Sequence, residues 1–245
     1  MKLVRYAEAD LPTAHGPFKL IVYREAPDVP AVAEGATVAS IHSATSNGNG
    51  NGNGNGNGQD AREHVAIVRG EVAGRSNVTT RVHSECWTSE VLGSLKCDCR
   101  EQLNAALEKI ASEGNGVIVY LRQEGRGIGL GNKIRAYALQ NSGADTVEAN
   151  LRLGFEPDAR SYDLAGAILE DLGVKSVRLL TNNPLKVNGL RSAGVTVTER
   201  VSHWVGENQH NSEYLAVKRR KMGHHPDTLA RLRALPSGAN KTAKR

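Results

Sequence analysis

Short apolar runs and stretches of helical periodicity alternate along the chain. Runs rich in aliphatic, β-branched and aromatic residues predict strands at 18–23, 63–70, 77–83, 116–121, 177–181 and 195–201. Leu103, Leu107 and Ile110 stand at i, i+4 and i+7, the spacing of one helix face. Helices are predicted over 100–113, 132–141, 162–172 and 186–193. The first three strands have no helix between them, whereas helices and strands alternate afterwards. The pattern therefore predicts an α/β fold: a layered mixed sheet with flanking helices and an N-terminal antiparallel β part.

A low-complexity segment interrupts the N-terminal part of the chain. Six consecutive Asn-Gly pairs occupy residues 47–58. This run has no apolar side chain whose burial would offset the entropy of ordering the backbone. We therefore expect residues 43–60 to be a flexible insertion within one domain that spans residues 1–216.

The positive charge is concentrated at the C-terminal end. The 245 residues include 31 Lys and Arg and 26 Asp and Glu, for a formal charge of +5. Residues 217–245 hold nine Lys or Arg and one acidic residue, so the remaining 216 residues carry a net charge of −3. We expect 217–245 to be a basic, disordered tail. A mildly acidic domain with 4% aromatic residues does not favour nucleic acid as a partner.

The hydropathy pattern and the cysteine content narrow the class of protein further. No run of about 18 apolar residues is present, so a membrane span is not expected. The N-terminal residues lack the apolar core of a secretory signal. Three clustered cysteines do not match a disulfide scaffold. We expect a cytoplasmic protein that does not bind membranes.

The cysteines form the clearest candidate metal site. Cys86, Cys97 and Cys99 follow the spacing Cys-x10-Cys-x-Cys. Three thiolates with an open fourth position suit a catalytic zinc ion, which lowers the pKa of a bound water towards about 7. His83 stands three residues before Cys86 and would complete a closed structural zinc site instead. Ordinary buried cysteines are the third interpretation.

Three polar segments adjoin predicted strands and helices. Residues 122–133 have glycine at every second position from 125 to 131, between a strand and a helix. They match neither the dinucleotide pattern nor the Walker A pattern, but this context suits an anion bound by backbone N–H groups. Asp158 and Arg160 precede a helix, and polar residues at 181–183 follow a strand, which is a common ligand position in α/β sheets. Taken singly, the glycine-rich segment is also compatible with a plain turn, and the other two segments with a helix cap, an ion pair or a plain loop.

Taken together, these segments resemble the GTP cyclohydrolase II family, whose members catalyse the first step of riboflavin biosynthesis. The resemblance covers roughly residues 1–225 apart from the Asn-Gly insertion, and the segments agree in order and spacing. The matching segments are Arg81 to Cys86, Cys97-Asp98-Cys99, Arg122 to Arg126, Asn132 to Tyr137, Asp145 to Asn150, Leu153 to Phe155, Asp158-x-Arg160, Leu180 to Pro184 and Lys221 to His224.

The resemblance implies a role for each matching position. Cys86, Cys97 and Cys99 would bind one zinc ion, and Mg²⁺ would accompany the triphosphate. The catalytic residues would be Tyr137, Asp158 and Arg160. The residues that would bind GTP are Arg81, Val82, His83, Ser84, Glu85, Gln102, Glu124, Gly125, Arg126, Thr146, Thr181 and Lys186. Family members form homodimers, so we expect a homodimer here.

The resemblance also implies the reaction. The imidazole ring of GTP would be opened at C8 with release of formate, and pyrophosphate would leave from the triphosphate. The remaining product would be 2,5-diamino-6-ribosylamino-4(3H)-pyrimidinone 5′-phosphate. Two alternatives remain open: a variant that retains the formyl group, and a non-catalytic GTP-binding regulatory relative.

Two positions raise chemical questions. The family assigns Arg160 as nucleophile on the α-phosphorus and Asp158 as proton acceptor. A guanidinium has a pKa above about 12 and no free lone pair, so Arg160 would otherwise act by electrostatic stabilisation. Arg100 stands where the family pattern has glycine, directly after Cys99. We expect its charge to lie beside the thiolates and to influence them.

Overall fold

The computed structural model describes residues 2–26, 63–143, 145–155 and 160–223. The described residues form seven strands in one sheet, in the order β1-β2-β3-β5-β4-β6-β7. The strands are β1 (Lys2–Thr13), β2 (Gly16–Ala26), β3 (Glu63–Arg69), β4 (Val78–Ser84), β5 (Gly116–Leu121), β6 (Val177–Leu180) and β7 (Val197–Val201).

The sheet has an antiparallel half and a parallel half that meet at β5. β1, β2, β3 and β5 pair antiparallel in succession, whereas β4 pairs parallel with both β5 and β6, and β6 pairs parallel with β7. The sequence interpretation placed β4 in the antiparallel part, and this detail is wrong. Because helix residues 99–113 connect β4 to β5, the chain crosses over and returns in the same direction.

Helices complete the domain. They are α1 (Trp87–Glu90), α2 (Cys99–Glu113), α3 (Gly129–Asn141), α4 (Thr146–Arg152), α5 (Asp163–Asp171), α6 (Pro184–Ser192) and α7 (Ser212–Met222). A short turn, Glu124–Gly127, links β5 to α3. In the described part of the chain no helix has the length and apolar character that a membrane span requires.

Both faces of the sheet are buried in the core. In β5, Val117 and Val119 belong to one core cluster, which also contains Ile168 of α5 and Leu190 of α6. Ile118 points to the other face and belongs to a second cluster that contains residues of α2. Side chains of successive strand residues point to opposite faces, so the sheet separates two layers of helices. The predicted layered α/β fold with a mixed sheet is therefore confirmed.

Some elements and segments need separate mention. The strands and helices predicted from periodicity are all present with small shifts of their ends, whereas β1, α1, α4 and α7 had no counterpart in the prediction. The Asn-Gly insertion at 43–60 and residues 224–245 of the predicted tail lie outside the described residues. Residues 217–222 belong to α7, in which the side chains of Leu215 and Val217 are buried.

Candidate active site

A cavity of about 600 Å³ opens at the carboxyl ends of the parallel strands. β4 delivers Arg81, His83 and Ser84 to it, and β6 is followed there by Thr181. Carboxyl ends of neighbouring parallel strands meet at one edge of a sheet, which explains why distant segments converge. The other predicted site residues that line the cavity are Glu85, Cys86, Cys97, Cys99, Gln102, Glu124, Gly125, Arg126, Tyr137, Arg160 and Lys186.

The three cysteines converge on one side of this cavity. Their Sγ atoms all lie within 4.8 Å of one another, and those of Cys86 and Cys97 are 3.6 Å apart. Cys86 precedes α1, and Cys99 is the first residue of α2, so two helix starts hold the thiols in place. Among the described residues, this is the one group of His, Cys, Asp and Glu side chains close enough to hold a metal ion. Three thiols at this separation suit a tetrahedral ion with one open position.

Charge at the cluster favours one ionised thiol. Hydrogen bonds to Cys97 and Cys99 lower the pKa of Cys86, and the ammonium of Lys133 adds to this effect. The same contacts with Cys86 raise the pKa of Cys97 and of Cys99. Adjacent thiolates repel one another, so binding a cation is what allows all three to ionise. The donor set therefore fits a thiophilic divalent ion.

His83 does not join the cluster. Its Nε2 lies 2.9 Å from Oε1 of Glu90, and its ring stacks on Tyr120 with centroids 5.7 Å apart. Burial lowers the pKa of His83, so the ring is neutral near pH 7. Oε1 of Glu90 also accepts the backbone N–H of Cys86 at 3.0 Å, and its Oε2 accepts the hydroxyl of Tyr120 at 2.6 Å. The closed structural site with His83 as fourth ligand is not formed in this geometry.

Arg81 is a buried cation in the lining of the cavity. It is 6% exposed and donates to the carbonyl of Leu180 at 2.8 Å and to Oε1 of Gln102. Burial lowers the pKa of Arg81 to about 10, which leaves the guanidinium charged at neutral pH. The backbone carbonyl of Gln102 is in turn contacted by Nε2 of His203 at 2.7 Å. The predicted GTP residues Arg81 and Gln102 are thus held in one orientation.

The glycine-rich segment forms a tight turn at the cavity. Gly125 and Arg126 both have left-handed backbone angles, with φ of 63° and 61°. A Cβ on Gly125 would come within 3.1 Å of Ile128 and of the Cβ of Lys133, so glycine fits the close approach of α3. The carboxylate of Glu124 accepts the backbone N–H of Trp87 at 2.6 Å and the ammonium of Lys133 at 2.7 Å. The turn therefore ties α1 and α3 together at the cavity.

The far side of the cavity carries a further pair of cations. Arg160 donates to Oγ of Ser84 at 3.5 Å, and Lys186 donates to the carbonyl of Val82 at 2.6 Å. Val82 itself is fully buried and contributes its backbone here. Thr181 accepts the backbone N–H of Asn183, which begins α6 as its N-terminal cap. These contacts hold both cations at the end of the sheet.

Three sequence expectations have other outcomes. Asp158 lies outside the described residues, and Thr146 begins α4 but its side chain is likewise outside the description. The guanidinium of Arg100 is bonded to Glu101 and two-fifths exposed, and Arg100 is not among the residues that line the cavity. The guanidinium thus contacts its acidic neighbour Glu101, and the expectation that its charge influences the thiolates stays a prediction.

Sequence reasoning missed several residues of the site. Lys96 lies over the ring of Tyr137 at 5.2 Å, with Lys133 over the same ring at 5.7 Å. Tyr214 and Lys218 reach the cavity from α7. Lys96 stands next to Cys97 in the sequence and could have been suspected, whereas nothing in the basic α7 segment signals an inward-facing residue.

Comparisons with known proteins agree with this geometry. The family model for GTP cyclohydrolase II matches residues 4–202. A GTP cyclohydrolase-2 of Actinobacillus succinogenes is 48% identical over 224 residues, which cover 91% of this chain and 88% of that relative. A GTP cyclohydrolase-2 of Azotobacter vinelandii is 58% identical over 163 residues, 66% of this chain and 78% of that protein. The riboflavin biosynthesis protein RibBA of Bacillus subtilis is 55% identical over 166 residues, 67% of this chain and 42% of that protein. The chain therefore belongs to the GTP cyclohydrolase II family.

Proposed function

We propose that this enzyme hydrolyses GTP in a zinc-dependent reaction, releasing formate and pyrophosphate and leaving 2,5-diamino-6-ribosylamino-4(3H)-pyrimidinone 5′-phosphate for riboflavin biosynthesis. One observation carries the proposal: three converging thiols share a cavity with seven Lys and Arg side chains. The thiols suit a hydrolytic metal, and the net positive charge of the cavity suits a triphosphate. The cations are Arg81, Lys96, Arg126, Lys133, Arg160, Lys186 and Lys218.

Cys86, Cys97 and Cys99 would hold the zinc ion. When bound, zinc supplies an activated water for hydrolysis of the imidazole ring at C8. Lys133 contributes a positive charge 3.1 Å from Cys86 Sγ, which offsets the charge excess of three thiolates around a divalent ion. Glu90 holds the backbone of Cys86 at 3.0 Å and so maintains the position of this ligand.

Tyr137 is suited to hold a proton beside the ring. Burial raises its pKa, although Lys133 acts in the opposite direction, so the phenol stays protonated at neutral pH. The ammonium groups of Lys96 and Lys133 lie 5.2 Å and 5.7 Å from the centre of its ring. A protonated phenol held in this way can donate to a nitrogen of the opening imidazole ring.

Arg126, Arg160 and Lys186 would bind the triphosphate together with Mg²⁺. Charged donors at fixed positions stabilise the negative charge that develops as the α–β phosphate bond breaks. Contact with Ser84 holds Arg160 at the cavity, and a charged guanidinium favours electrostatic stabilisation over nucleophilic attack. Asp158 would accept a proton if Arg160 attacks the α-phosphorus.

We further propose a homodimer in the cytoplasm. Segment 87–95 exposes four large apolar side chains beside the site, Trp87, Val91, Leu92 and Leu95. Several large apolar side chains exposed within one short segment suit a self-complementary interface. Three cysteines kept as thiols fit a reducing compartment. Size-exclusion chromatography with light scattering tests the dimer, and Leu92→Glu should shift the protein to monomer.

The function is tested by incubating the purified protein with GTP and Mg²⁺, with and without a zinc chelator, and following products by mass spectrometry. Chelator-sensitive formation of formate, pyrophosphate and the diaminopyrimidine supports the proposal. Pyrophosphate release with the formyl group retained would indicate the truncated reaction. Binding of zinc and GTP without turnover would indicate the regulatory relative. Arg160→Ala should abolish turnover and leave zinc bound.

A further inference from the structure

Asp98, between two of the cysteines, uses its carboxylate in an unusual way. It is the N-terminal cap residue of α2, yet its side chain makes no capping bond to that helix. An aspartate at this position ordinarily accepts a backbone N–H of the first turn and stabilises the helix by about 1 kcal/mol. Here Oδ1 lies 2.9 Å from Nζ of Lys218, and Oδ2 accepts the side-chain amide of Gln102 at 2.6 Å. The carboxylate is thus directed to α7 and the cavity.

These contacts continue into the predicted GTP site. Gln102, held at its amide nitrogen by Asp98, accepts Arg81 at its amide oxygen. Lys218, Gln102 and Arg81 all line the cavity. Asp98 is 3% exposed, and the side chain of Lys218 is 12% exposed, so this ion pair is screened from solvent. A screened pair fixes its members far more firmly than a surface pair does.

Helix α7 is packed firmly enough to hold Lys218 in place. Leu215 and Val217 are buried, and the fully buried Asn211 donates to the carbonyl of Gly206 at 2.8 Å. Gly206 itself has a left-handed φ of 75°, and a Cβ there would come within 2.7 Å of Glu101 on α2. The segment before α7 therefore sits against the first turn of α2, which is the turn that Asp98 begins.

We propose that α7 is a wall of the active site and that Lys218 is a positioning residue, which through Asp98 fixes Gln102 and the segment carrying Cys97 and Cys99. The proposal rests on the proposed function, because Gln102 is assigned to GTP and the cysteines to zinc. Lys218 contacts the site from 120 residues away in sequence. The ammonium of Lys218 pairs with the carboxylate of Asp98, and this carboxylate accepts a hydrogen bond from the side-chain amide of Gln102. The amide oxygen of Gln102 accepts a hydrogen bond from Arg81.

The test compares Lys218→Met with Arg220→Met on the full chain. Arg220 lies on the same helix, its side chain is 66% exposed, and it pairs only with Glu213 among the contacts described for it. For each protein we would measure kcat and KM for GTP, and the dissociation constant of Zn²⁺ alone by chelator competition. Loss of a residue that supports a metal site weakens binding or activity about 10- to 100-fold. Lys218→Met should raise the Zn²⁺ dissociation constant and KM about tenfold, and Arg220→Met should change neither.

A second variant separates positioning from folding. Lys218→Met alone leaves a buried carboxylate without its partner, which destabilises the fold. Asp98→Leu/Lys218→Met removes both charges, so the melting temperature should recover while KM and the Zn²⁺ constant stay impaired. Lys218→Arg keeps the positive charge, so its KM for GTP and its Zn²⁺ dissociation constant should stay close to those of the natural protein. Recovery of KM and Zn²⁺ affinity together with stability in the double variant would overturn the proposal, as would identical behaviour of Lys218→Met and Arg220→Met. A natural protein that neither binds Zn²⁺ nor turns over GTP would instead count against the proposed function.

Discussion

The ammonium of Lys133 lies 3.1 Å from Sγ of Cys86 and 2.7 Å from Oε1 of Glu124. Lys133 is 8% exposed, so these contacts form away from solvent. Burial acts against its charge, but the bond to Glu124 and the charge on Cys86 outweigh burial and raise its pKa. Lys133 thus joins the cysteine cluster to the turn that precedes α3, without being a metal ligand.

Lys133→Met should weaken the metal site. The substitution removes a positive charge beside three thiolates, so their mutual repulsion is less well offset. We expect the Zn²⁺ dissociation constant to rise about tenfold and kcat for GTP to fall by at least as much. Chelator competition and product analysis measure the two effects. Arg135→Met, on the exposed side of the same helix, is the control and should resemble the natural protein. Equal Zn²⁺ affinity in both variants would show that the contact has no bearing on the metal.

Glu90 accepts three hydrogen bonds and should be sensitive to loss of one oxygen. Its donors are the backbone of Cys86, the ring of His83 and the hydroxyl of Tyr120. Glu90→Gln places an NH₂ group where one carboxylate oxygen was, and a buried donor left without an acceptor costs about 1–3 kcal/mol. We expect the free energy of unfolding in urea to fall by that amount.

Glu101→Gln serves as the control for this experiment. Glu101 is about one-third exposed and pairs with Arg100, and exposed pairs contribute less than about 1 kcal/mol. Its stability should stay close to that of the natural protein. If the two variants were equally stable, the three donors around Glu90 would have to find other acceptors in the fold.

The sequence predicted most accurately the strands and helices whose side chains are buried. The strand predicted at 116–121 is β5, Gly116–Leu121, because it is central and buried on both faces. β1 was missed because it is an edge strand whose side chains are largely exposed, so no alternation of polar and apolar residues is required. α7 was missed because its basic residues suggested a tail, and the two side chains that anchor it, Leu215 and Val217, are too few to form a periodic pattern.

The residues of the candidate site could likewise be predicted only in part. The cysteines and the cationic loop residues could be grouped from sequence because they lie close together along the chain and match a family pattern. The pairing of Lys218 with Asp98 could not, because 120 residues separate them and only the arrangement of α7 against α2 brings them together. The contact of Arg100 with Glu101 could not be predicted either, because it depends on the side-chain conformation of Arg100, which sequence spacing does not determine.

Arg126 adopts a left-handed backbone conformation that is unfavourable for any residue with a Cβ. Its φ of 61° costs about 1–2 kcal/mol relative to glycine. Arg126→Gly should therefore stabilise the fold by about 0.5–1 kcal/mol, since the greater entropy of unfolded glycine offsets part of the gain. The same change removes a cation from the cavity, so KM for GTP should rise about tenfold.

Arg126→Ala separates these two effects. Alanine keeps the strained φ and lacks the guanidinium, so KM should rise as in Arg126→Gly while stability should not increase. Urea unfolding and steady-state kinetics on both variants give the comparison. A gain of stability in Arg126→Ala would mean that repulsion among the cavity cations, and not backbone strain, is the unfavourable term.

His203 should make the fold sensitive to acid. Burial lowers its pKa to about 3, with the nearby charge of Arg81 acting in the same direction. An unfolded histidine titrates at about 6.5, so between these values the unfolded chain binds one more proton than the folded chain. Stability from this residue is complete above about pH 6.5 and is lost as the pH falls, by about 1.4 kcal/mol per pH unit.

His203→Gln should remove this dependence and keep the contact. The amide N–H of glutamine can donate to the carbonyl of Gln102, which His203 contacts at 2.7 Å. We expect similar free energies of unfolding at pH 7, and a loss between pH 7 and pH 5 that is smaller in the variant by up to about 2 kcal/mol. Urea unfolding at both pH values measures the difference, and the cysteines contribute equally to both proteins. An equal loss in the two proteins would mean that His203 takes up its proton without leaving the fold.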